Sequence, residues 1–195
     1  MLVLVENTNT FAALPHKLWT REECAVLERT GVLDQKGYEL IEGELILKMG
    51  KNYPHMLALS VLTGWLYSVF GIVFVMPEPS IDLRPEDNPT SEPQPDVVVL
   101  NRSIRTISGR PRPEEVSLVA EVSDTSISLD LNVKAGLYAR AGIPEYWLVD
   151  VEGRRLIVHR RPSGGRYLDV SRYSEDEMAA TLGAPEVSIR VGDLF

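Results

Sequence analysis

The chain has 195 residues, of which 44% are hydrophobic and 25% are charged, and its formal net charge is −8 at pH 7. These values exclude wholesale disorder and allow one substantial hydrophobic core. The negative charge argues against a protein whose whole surface binds nucleic acid, because phosphate contacts require lysine and arginine. Positive charge is clustered in one loop, which contains Arg102, Arg105, Arg110 and Arg112.

Cysteine usage and apolar runs indicate the compartment. The single Cys24 excludes an internal disulfide and fits a reducing environment. The first residues, MLVLVENTNT, lack the basic and the long apolar regions of a signal peptide. The longest apolar stretch, from Met56 to Phe74, is interrupted by polar residues and glycines, which argues against a membrane span. We therefore expect a cytoplasmic protein with no membrane partner.

The first elements along the chain are a short helix and a hairpin. Thr20 and Glu23 have the spacing of a capping box, which predicts a helix from Arg21 to Arg29. From Tyr38 to Lys48 apolar and polar residues alternate on both sides of Glu42-Gly43. This pattern predicts a β-hairpin.

A second helix is predicted from Pro54 to Phe70, with Asn52 at its start and Gly71 as its stop. Because it is apolar on most faces, we expect it in the core or in a subunit interface. The segment Ile72–Met76 predicts a short strand. The stretch from Pro77 to Pro95 is rich in prolines and acids and predicts an irregular, exposed excursion.

The second half of the chain predicts strands at Asp96–Leu100, Ser117–Val122 and Tyr146–Val151 and a helix from Asp130 to Ala141, which Gly142 closes. Three more strands are expected as a terminal meander, at 155–160, 166–170 and 187–191. The order of elements predicts an α/β or α+β fold with a mixed sheet. We expect one domain, with a helix and hairpin at 18–50, a core at 51–151 and terminal strands at 152–195.

Two carboxylates fall at unusual places. Asp96 opens a run of four apolar residues, and Glu121 ends the apolar run SLVAEV. A carboxylate in a buried strand costs several kcal/mol unless a partner compensates its charge, and a divalent cation such as Mg²⁺ or Mn²⁺ is one such partner. The two residues would then meet at one metal. The alternative is that both lie at strand ends, solvated or paired with arginines.

Lys134 is a third candidate. Helical spacing places Asp130, Lys134 and Tyr138 on one face of the predicted helix. The alternative is a solvated surface, because Asp130 and Lys134 also have the spacing of an exposed i,i+4 ion pair. The pattern alone favours the solvated surface.

Several motifs together carry a resemblance, from PDVVVL through SLVAEVSDTS to DLNVKAGLYARAGIPEYWLVD. With the preceding YELIEGEL and the downstream His55, they resemble the Uma-type family of restriction endonucleases, within the PD-(D/E)XK nuclease superfamily. The resemblance covers roughly Leu18 to Asp150. It implies a restriction-endonuclease-like mixed sheet flanked by helices, with acidic residues on adjacent strands.

The resemblance also implies roles for individual residues. Asp96 and Glu121 would bind the metal, Mg²⁺ or Mn²⁺. The superfamily's usual lysine position holds Ser123, so Lys134 from the following helix would take the lysine's role. Glu39 or Glu42 would be a further acid near the metal; Glu39 matches the family's first acid, and Glu42 fits a surface turn. His55 would be a support or proton carrier, although a histidine on an apolar helix is also typical of a hydrogen-bonded packing residue.

The function that follows is metal-dependent hydrolysis of phosphodiester bonds in DNA by a homodimer or a higher homo-oligomer. Three alternatives stay open: an inactive nuclease-fold protein that binds or regulates, a carboxylate-based glycosidase, and an interaction protein that dimerises through its apolar helix. Tyr146-Trp147 could stack on bases, but their position in an apolar strand favours the core.

Overall fold

In a computed structural model of the protein, which describes residues 16–34, 37–48, 50–124 and 126–195, a six-stranded mixed sheet carries helices on both faces. The α+β fold with a mixed sheet that the sequence predicts is therefore confirmed. Across these ranges no helix has the length and apolar character needed to cross a membrane. The prediction that no signal peptide is present falls on residues 1–15, outside the described residues.

Helix α1 (Arg21–Arg29) begins as the sequence predicts. The Thr20 side chain accepts a hydrogen bond from the Glu23 amide, and the Glu23 carboxylate accepts one from the Thr20 amide. This reciprocal pair satisfies two of the amides that a helix leaves free at its N-terminus.

The hairpin consists of β1 (Tyr38–Ile41) and β2 (Glu44–Leu47), paired antiparallel. Its turn residues Glu42 and Gly43 both have positive φ, 49° and 86°. A Cβ at Gly43 would lie only 2.8 Å from the Leu18 Cβ, so glycine lets the chain before α1 pack against the turn.

Helix α2 (Tyr53–Phe70) is capped by the Asn52 side chain, which accepts a hydrogen bond from the His55 amide at 3.0 Å. Its residues Ala58, Leu62 and Leu66 are fully buried against one face of the sheet. The helix therefore covers this face and brings its N-terminal turn to the edge where Asp96 lies.

The main sheet has the order β3-β4-β5-β6-β7-β8. All neighbouring pairs are antiparallel except β5 and β6, which are parallel. The six strands are β3 (Val75–Pro77), β4 (Val97–Leu100), β5 (Val116–Ser123), β6 (Glu145–Asp150), β7 (Arg155–Ser163) and β8 (Arg166–Ser174).

The parallel pair requires a crossover, and helical segments supply it. They follow one another as α3 (Ile127–Leu129), a π-helical turn (Asp130–Lys134) and α4 (Ala135–Ala141). Helix α4 ends at Gly142, which has the left-handed conformation predicted for it. Its side chains pack on the face of the sheet opposite to α2.

A second small sheet pairs β9 (Met178–Ala180) with β10 (Ser188–Arg190). Short 3₁₀ helices complete the described elements, at Asn88–Thr90, Ile104–Thr106, Pro113–Glu115 and Val191–Leu194. The predicted terminal meander is confirmed for β7 and β8, which pair antiparallel, extend the main sheet and are longer than predicted. The third predicted strand, 187–191, corresponds to β10 and pairs with β9 instead of β8.

Two expectations between α2 and β4 are wrong. The predicted strand Ile72–Met76 begins only at Val75, since the Phe74 amide bonds to the Gly71 carbonyl at 3.0 Å and forms a turn. The stretch from Pro77 to Pro95 is irregular but not exposed throughout. Ile81 and Leu83 lie in the core, 0% and 3% exposed. They belong to the same hydrophobic cluster as Ile41 of the hairpin.

Candidate active site

Asp96 and Glu121 lie side by side on paired strands. In the antiparallel pairing of β4 with β5, Val97 is opposite Ala120, so Asp96 comes opposite Glu121. The Val122 amide donates to Asp96 Oδ2 at 2.9 Å, and the Asp96 amide lies 3.4 Å from Glu121 Oε2. The two residues are 8% and 5% exposed. The interpretation of solvated or arginine-paired carboxylates is therefore wrong.

Lys134 lies at the end of the π-helical turn and is buried, 6% exposed. Its Nζ is 2.9 Å from Glu39 Oε2, 3.1 Å from Glu121 Oε1 and 3.5 Å from Asp130 Oδ1. The solvated-surface interpretation of this helix is wrong, because the β1–β2 hairpin closes over it and contributes Glu39. Such π-helical turns are frequent at functional sites.

Neighbouring groups fix the orientation of the acids around Lys134. The Tyr138 hydroxyl donates to Glu121 Oε1 at 2.8 Å. Glu39 Oε1 accepts from the Gln94 amide at 2.6 Å, and the Ser126 hydroxyl donates to Asp130 Oδ2 at 2.6 Å. Each carboxylate therefore has at least one oxygen held in place, as a preorganised site requires.

The cluster has more carboxylates than ammonium groups, and its pKa values reflect this. Burial raises the pKa of Glu121 to about 8; the charge of Lys134 opposes the increase, and Asp130 and Asp96 add to it. Burial alone would lower the pKa of Lys134, but the surrounding carboxylates, Glu121 first, hold it well above its ordinary value. An additional positive charge at Glu121 would relieve this imbalance.

A cleft of about 330 Å³ opens above these residues, with Glu39, Asp96, Glu121 and Lys134 in its wall. Of the four lysines that the structure describes, three line the cleft, namely Lys48, Lys51 and Lys134. None of the arginines is among its lining residues in the described part of the chain. The positive charge of the cleft is thus supplied by ammonium groups.

Lys51 and His55 approach Asp96 from the start of α2. Lys51 Nζ lies 2.9 Å from Asp96 Oδ1 and also contacts the Glu78 carboxylate. His55 Nε2 is 3.7 Å from Asp96 Oδ2, longer than a hydrogen bond. His55 Nδ1 is buried and has no hydrogen-bond partner within the described residues. The structure thus places His55 beside Asp96 without the hydrogen bonds that a packing histidine normally makes.

Two other sequence features do not join the site. Tyr146 and Trp147 are both fully buried, so the core interpretation is correct and base stacking is wrong. In the basic loop, Arg102 pairs with Glu115 and Arg110 with Glu92. This loop follows the C-terminal end of β4, whereas Asp96 precedes its N-terminal end, so the loop offers no free cationic patch at the cleft.

The donor set fits a hard divalent cation. Across the described ranges no group of three or more His, Cys, Asp or Glu side chains is arranged to hold a metal ion. Magnesium, however, is commonly held by one or two carboxylates, with water and substrate phosphate completing its octahedral shell. Asp96 and Glu121, adjacent and with oxygen donors only, meet that requirement for Mg²⁺ or Mn²⁺.

No pattern in the sequence indicated that Lys51 and Glu78 would lie at the site. Lys51 comes just before a helix cap, where a lysine is ordinary, and Glu78 is one of several acids in an irregular stretch. The contact of Tyr138 with Glu121 could have been predicted, because helical spacing places Tyr138 on the same helix face as Lys134.

The fold is α+β, with two buried acids at neighbouring strands and a buried lysine from the helical crossover around one cleft. The sequence profile of the Uma2 family, described as "Putative restriction endonuclease", matches residues 23–192, and the chain belongs to this family. A solved structure described as "a putative nuclease belonging to DUF820", from Anabaena variabilis ATCC 29413, superposes with a TM-score of 0.65. It covers 93% of this chain and 98% of its own at 17% identity, which shows a shared fold. No match was found among curated proteins.

Proposed function

We propose that the protein is a metal-dependent endonuclease that hydrolyses phosphodiester bonds in DNA, with Asp96 and Glu121 as the metal ligands. The observation that carries this proposal is the pair of buried carboxylates on neighbouring strands in the wall of a lysine-lined cleft. Membership of a family described as restriction endonucleases supports it, and so does the nuclease-like fold.

Asp96 and Glu121 would hold a divalent cation, Mg²⁺ or Mn²⁺, which would supply charge compensation at the phosphodiester and make a bound water more acidic. The Val122 amide keeps Asp96 Oδ2 in place, and the Tyr138 hydroxyl does the same for Glu121 Oε1. Glu121 Oε2 is then left facing the Asp96 amide at 3.4 Å, and Asp96 Oδ1 faces the side-chain ammonium of Lys51 at 2.9 Å, so we propose that a cation uses these two oxygens.

Lys134 stabilises the negative charge that grows on the phosphoryl oxygens during attack. Its three carboxylate contacts keep its ammonium protonated although it is buried. Glu39 positions Lys134 through the 2.9 Å ion pair and so acts on the reaction through that lysine. In this arrangement the lysine comes from the crossover helix, while Ser123 occupies the position on β5 where the superfamily usually has it.

His55 is proposed as a proton carrier beside Asp96. Its ring lies in the cleft wall with Nε2 facing Asp96, and its Nδ1 has no described hydrogen-bond partner. A histidine ring placed beside a carboxylate in a cleft has the geometry to pass a proton to or from a bound water.

Charge limits how the substrate is bound. The net charge of −8 predicts weak non-specific affinity for DNA. The lysines of the cleft supply local phosphate contacts instead. We therefore propose that DNA binding is concentrated at the cleft and weakens as the salt concentration rises.

We also propose that the protein acts as a homodimer formed through α2. No Asp, Glu, Lys or Arg occurs from Tyr53 to Phe70. The exposed face of this helix begins with Tyr53, Met56 and Leu57, which are 78%, 54% and 37% exposed. Uncharged apolar faces of this kind mark interaction surfaces, and a dimer would present two clefts to the two strands of a duplex.

The direct test incubates the protein with supercoiled plasmid, linear duplex, single-stranded DNA and RNA, each with Mg²⁺, with Mn²⁺ and with a chelator. The proposal expects cutting of DNA that requires the cation. An absence of cutting on every substrate, with a folded protein that binds DNA, would favour the inactive binding protein instead. Cutting of RNA alone would contradict the assignment of DNA.

A further inference from the structure

Lys51 has an unusual position for a lysine in a nucleic-acid cleft. Its side chain is one-third exposed, which leaves the ammonium access to the cleft. Yet Nζ turns towards the protein, to Asp96 Oδ1 at 2.9 Å and to the Glu78 carboxylate. The ammonium therefore sits on an oxygen of a proposed metal ligand.

This contact competes with a cation. Asp96 Oδ2 is already occupied by the Val122 amide at 2.9 Å. Asp96 Oδ1 accepts from Lys51 Nζ, and a lysine side chain can move aside, whereas the Val122 amide on Oδ2 is fixed in β5. A divalent cation at Oδ1 displaces the Lys51 ammonium or shares the oxygen with it, against the repulsion between the two positive charges.

A displaced Lys51 has a suitable new partner. Once a cation holds Asp96, the ammonium faces a cleft that will contain substrate phosphates. Lysine binds phosphate as a flexible point charge, and its long stem lets Nζ move from a carboxylate to a phosphate while its backbone stays in place. The Glu78 carboxylate can keep the side chain near the cleft during this exchange.

We infer that Lys51 is a substrate-phosphate ligand that is held on Asp96 until a divalent cation takes that oxygen. Cation binding and nucleic-acid binding are thus coupled through one side chain. This inference rests on the proposed metal-dependent function and assigns to it an order: the cation binds, the lysine is released, and the phosphate is captured. Because coupling of this kind is reciprocal, bound nucleic acid also raises the affinity for the cation.

Lys48 is a matched control in the same cleft. It is also a lysine of the lining, but its Nζ contacts the Gln94 side-chain carbonyl and not an acid of the cluster. Lys48 therefore can contact phosphate without competing for the metal site. Comparison of the two lysines separates the release mechanism from the general effect of removing a positive charge.

The experiment measures Mn²⁺ affinity by calorimetry, and the affinity for a fluorescent phosphorothioate oligonucleotide with Mn²⁺ and with a chelator. Lys51→Met, Lys51→Gln, Lys48→Met and the wild type are compared, after circular dichroism confirms that each is folded. We expect both Lys51 variants to bind Mn²⁺ on the order of fivefold more tightly, the effect of removing a partly exposed competing ion pair. We also expect Mn²⁺ to increase the oligonucleotide affinity of the wild type far more than that of the Lys51 variants.

For Lys48→Met we expect unchanged Mn²⁺ affinity and oligonucleotide binding that is weakened equally with and without Mn²⁺. Unchanged or weaker Mn²⁺ affinity in the Lys51 variants of a protein that binds Mn²⁺ would overturn the inference and leave the proposed function intact. Tighter Mn²⁺ binding with an unaltered effect of Mn²⁺ on oligonucleotide affinity would also overturn it. A wild type that binds no Mn²⁺ would instead overturn the metal-dependent function itself.

Discussion

Lys134 and Glu39 form a buried ion pair with an Nζ–Oε2 distance of 2.9 Å. The pair joins the π-helical turn after β5 to the β1–β2 hairpin, two segments far apart in the sequence. Since Lys134 also contacts Glu121, the hairpin and the proposed metal ligand share one ammonium. The contact of the hairpin with the rest of the site therefore depends on Lys134.

Replacement of Lys134 by methionine tests this link. The change leaves Glu39, Glu121 and Asp130 without their shared cation, and loss of one partner of a buried ion pair costs about 3 kcal/mol or more. We expect the free energy of unfolding, measured by urea denaturation, to fall by that amount. We also expect Mn²⁺ to restore part of it, because ligand binding to the folded state stabilises it. A loss below about 1 kcal/mol would show that the pair does not hold the hairpin.

Tyr138→Phe removes the hydroxyl that donates to Glu121 Oε1 at 2.8 Å. Because the pKa of Glu121 is raised to about 8, its carboxyl is largely protonated at neutral pH, and a buried hydrogen bond to it contributes about 0.5–1.5 kcal/mol. We expect a stability loss in this range and a slower cleavage rate, because Glu121 loses a group that orients it. Tyr167→Phe is the control, since it removes a buried hydroxyl that donates to the Ile143 carbonyl at 2.9 Å away from the cleft. Equal cleavage by the two variants would contradict the positioning role of Tyr138.

His159 makes stability depend on pH. Burial lowers its pKa from 6.5 to about 4, although a backbone contact at Tyr146 opposes the shift, and the charge of Arg172 adds to it. Its ring stacks on Tyr146 and also contacts Tyr167. Because the folded-state pKa lies below the unfolded-state pKa, the unfolded chain takes up the proton first, and stability is lost as pH falls from about 6.5 to about 4.

In His159→Phe we expect a smaller loss of stability over that window than in the wild type. Urea denaturation of both proteins at about pH 5 and about pH 8 gives their free energies of unfolding. The decrease from about pH 8 to about pH 5 should be larger for the wild type than for His159→Phe. A variant whose pH dependence matches that of the wild type would show that His159 is not the group responsible.

The proposed dimer through α2 predicts a clear effect of charge on its exposed face. A Leu57→Glu substitution places an uncompensated carboxylate in the interface, and we expect sedimentation measurements to show a monomer where the wild type sediments as a dimer. Glu22→Lys on α1 is a control with a surface charge change away from α2. A wild type that is monomeric at all concentrations tested would remove the basis for this proposal.

The elements nearest the site were predictable because their signals are local. The strand that starts after Asp96 and the strand that contains Glu121 follow from continuous apolar runs. The two strands lie next to each other because they pair antiparallel. The capping box at Thr20 and the turn at Glu42-Gly43 are likewise set by residues close in sequence.

Features that depend on distant segments were not predictable in the same way. Helical spacing puts Asp130 and Lys134 on one face but cannot show which segment covers that face, and the hairpin with Glu39 decides it. Strand β9 was missed because its three residues, Met178–Ala180, have no period and are ordered by pairing with β10. Lys51 reaches the site because the N-terminus of α2 packs beside the N-terminal end of β4. The sequence around Lys51 does not indicate this contact.

The most direct test of the central claim compares metal-dependent DNA cleavage by the wild type, Asp96→Asn, Glu121→Gln and Asp150→Asn. Asp150 is the control, because it is a buried strand-end carboxylate that pairs with Arg155 at 2.7 Å outside the cleft. We expect cleavage by the wild type and by Asp150→Asn, and no cleavage by Asp96→Asn or Glu121→Gln, with all four proteins folded. Cleavage that persists in both Asp96→Asn and Glu121→Gln would contradict the assignment of these carboxylates as the metal ligands of a nuclease.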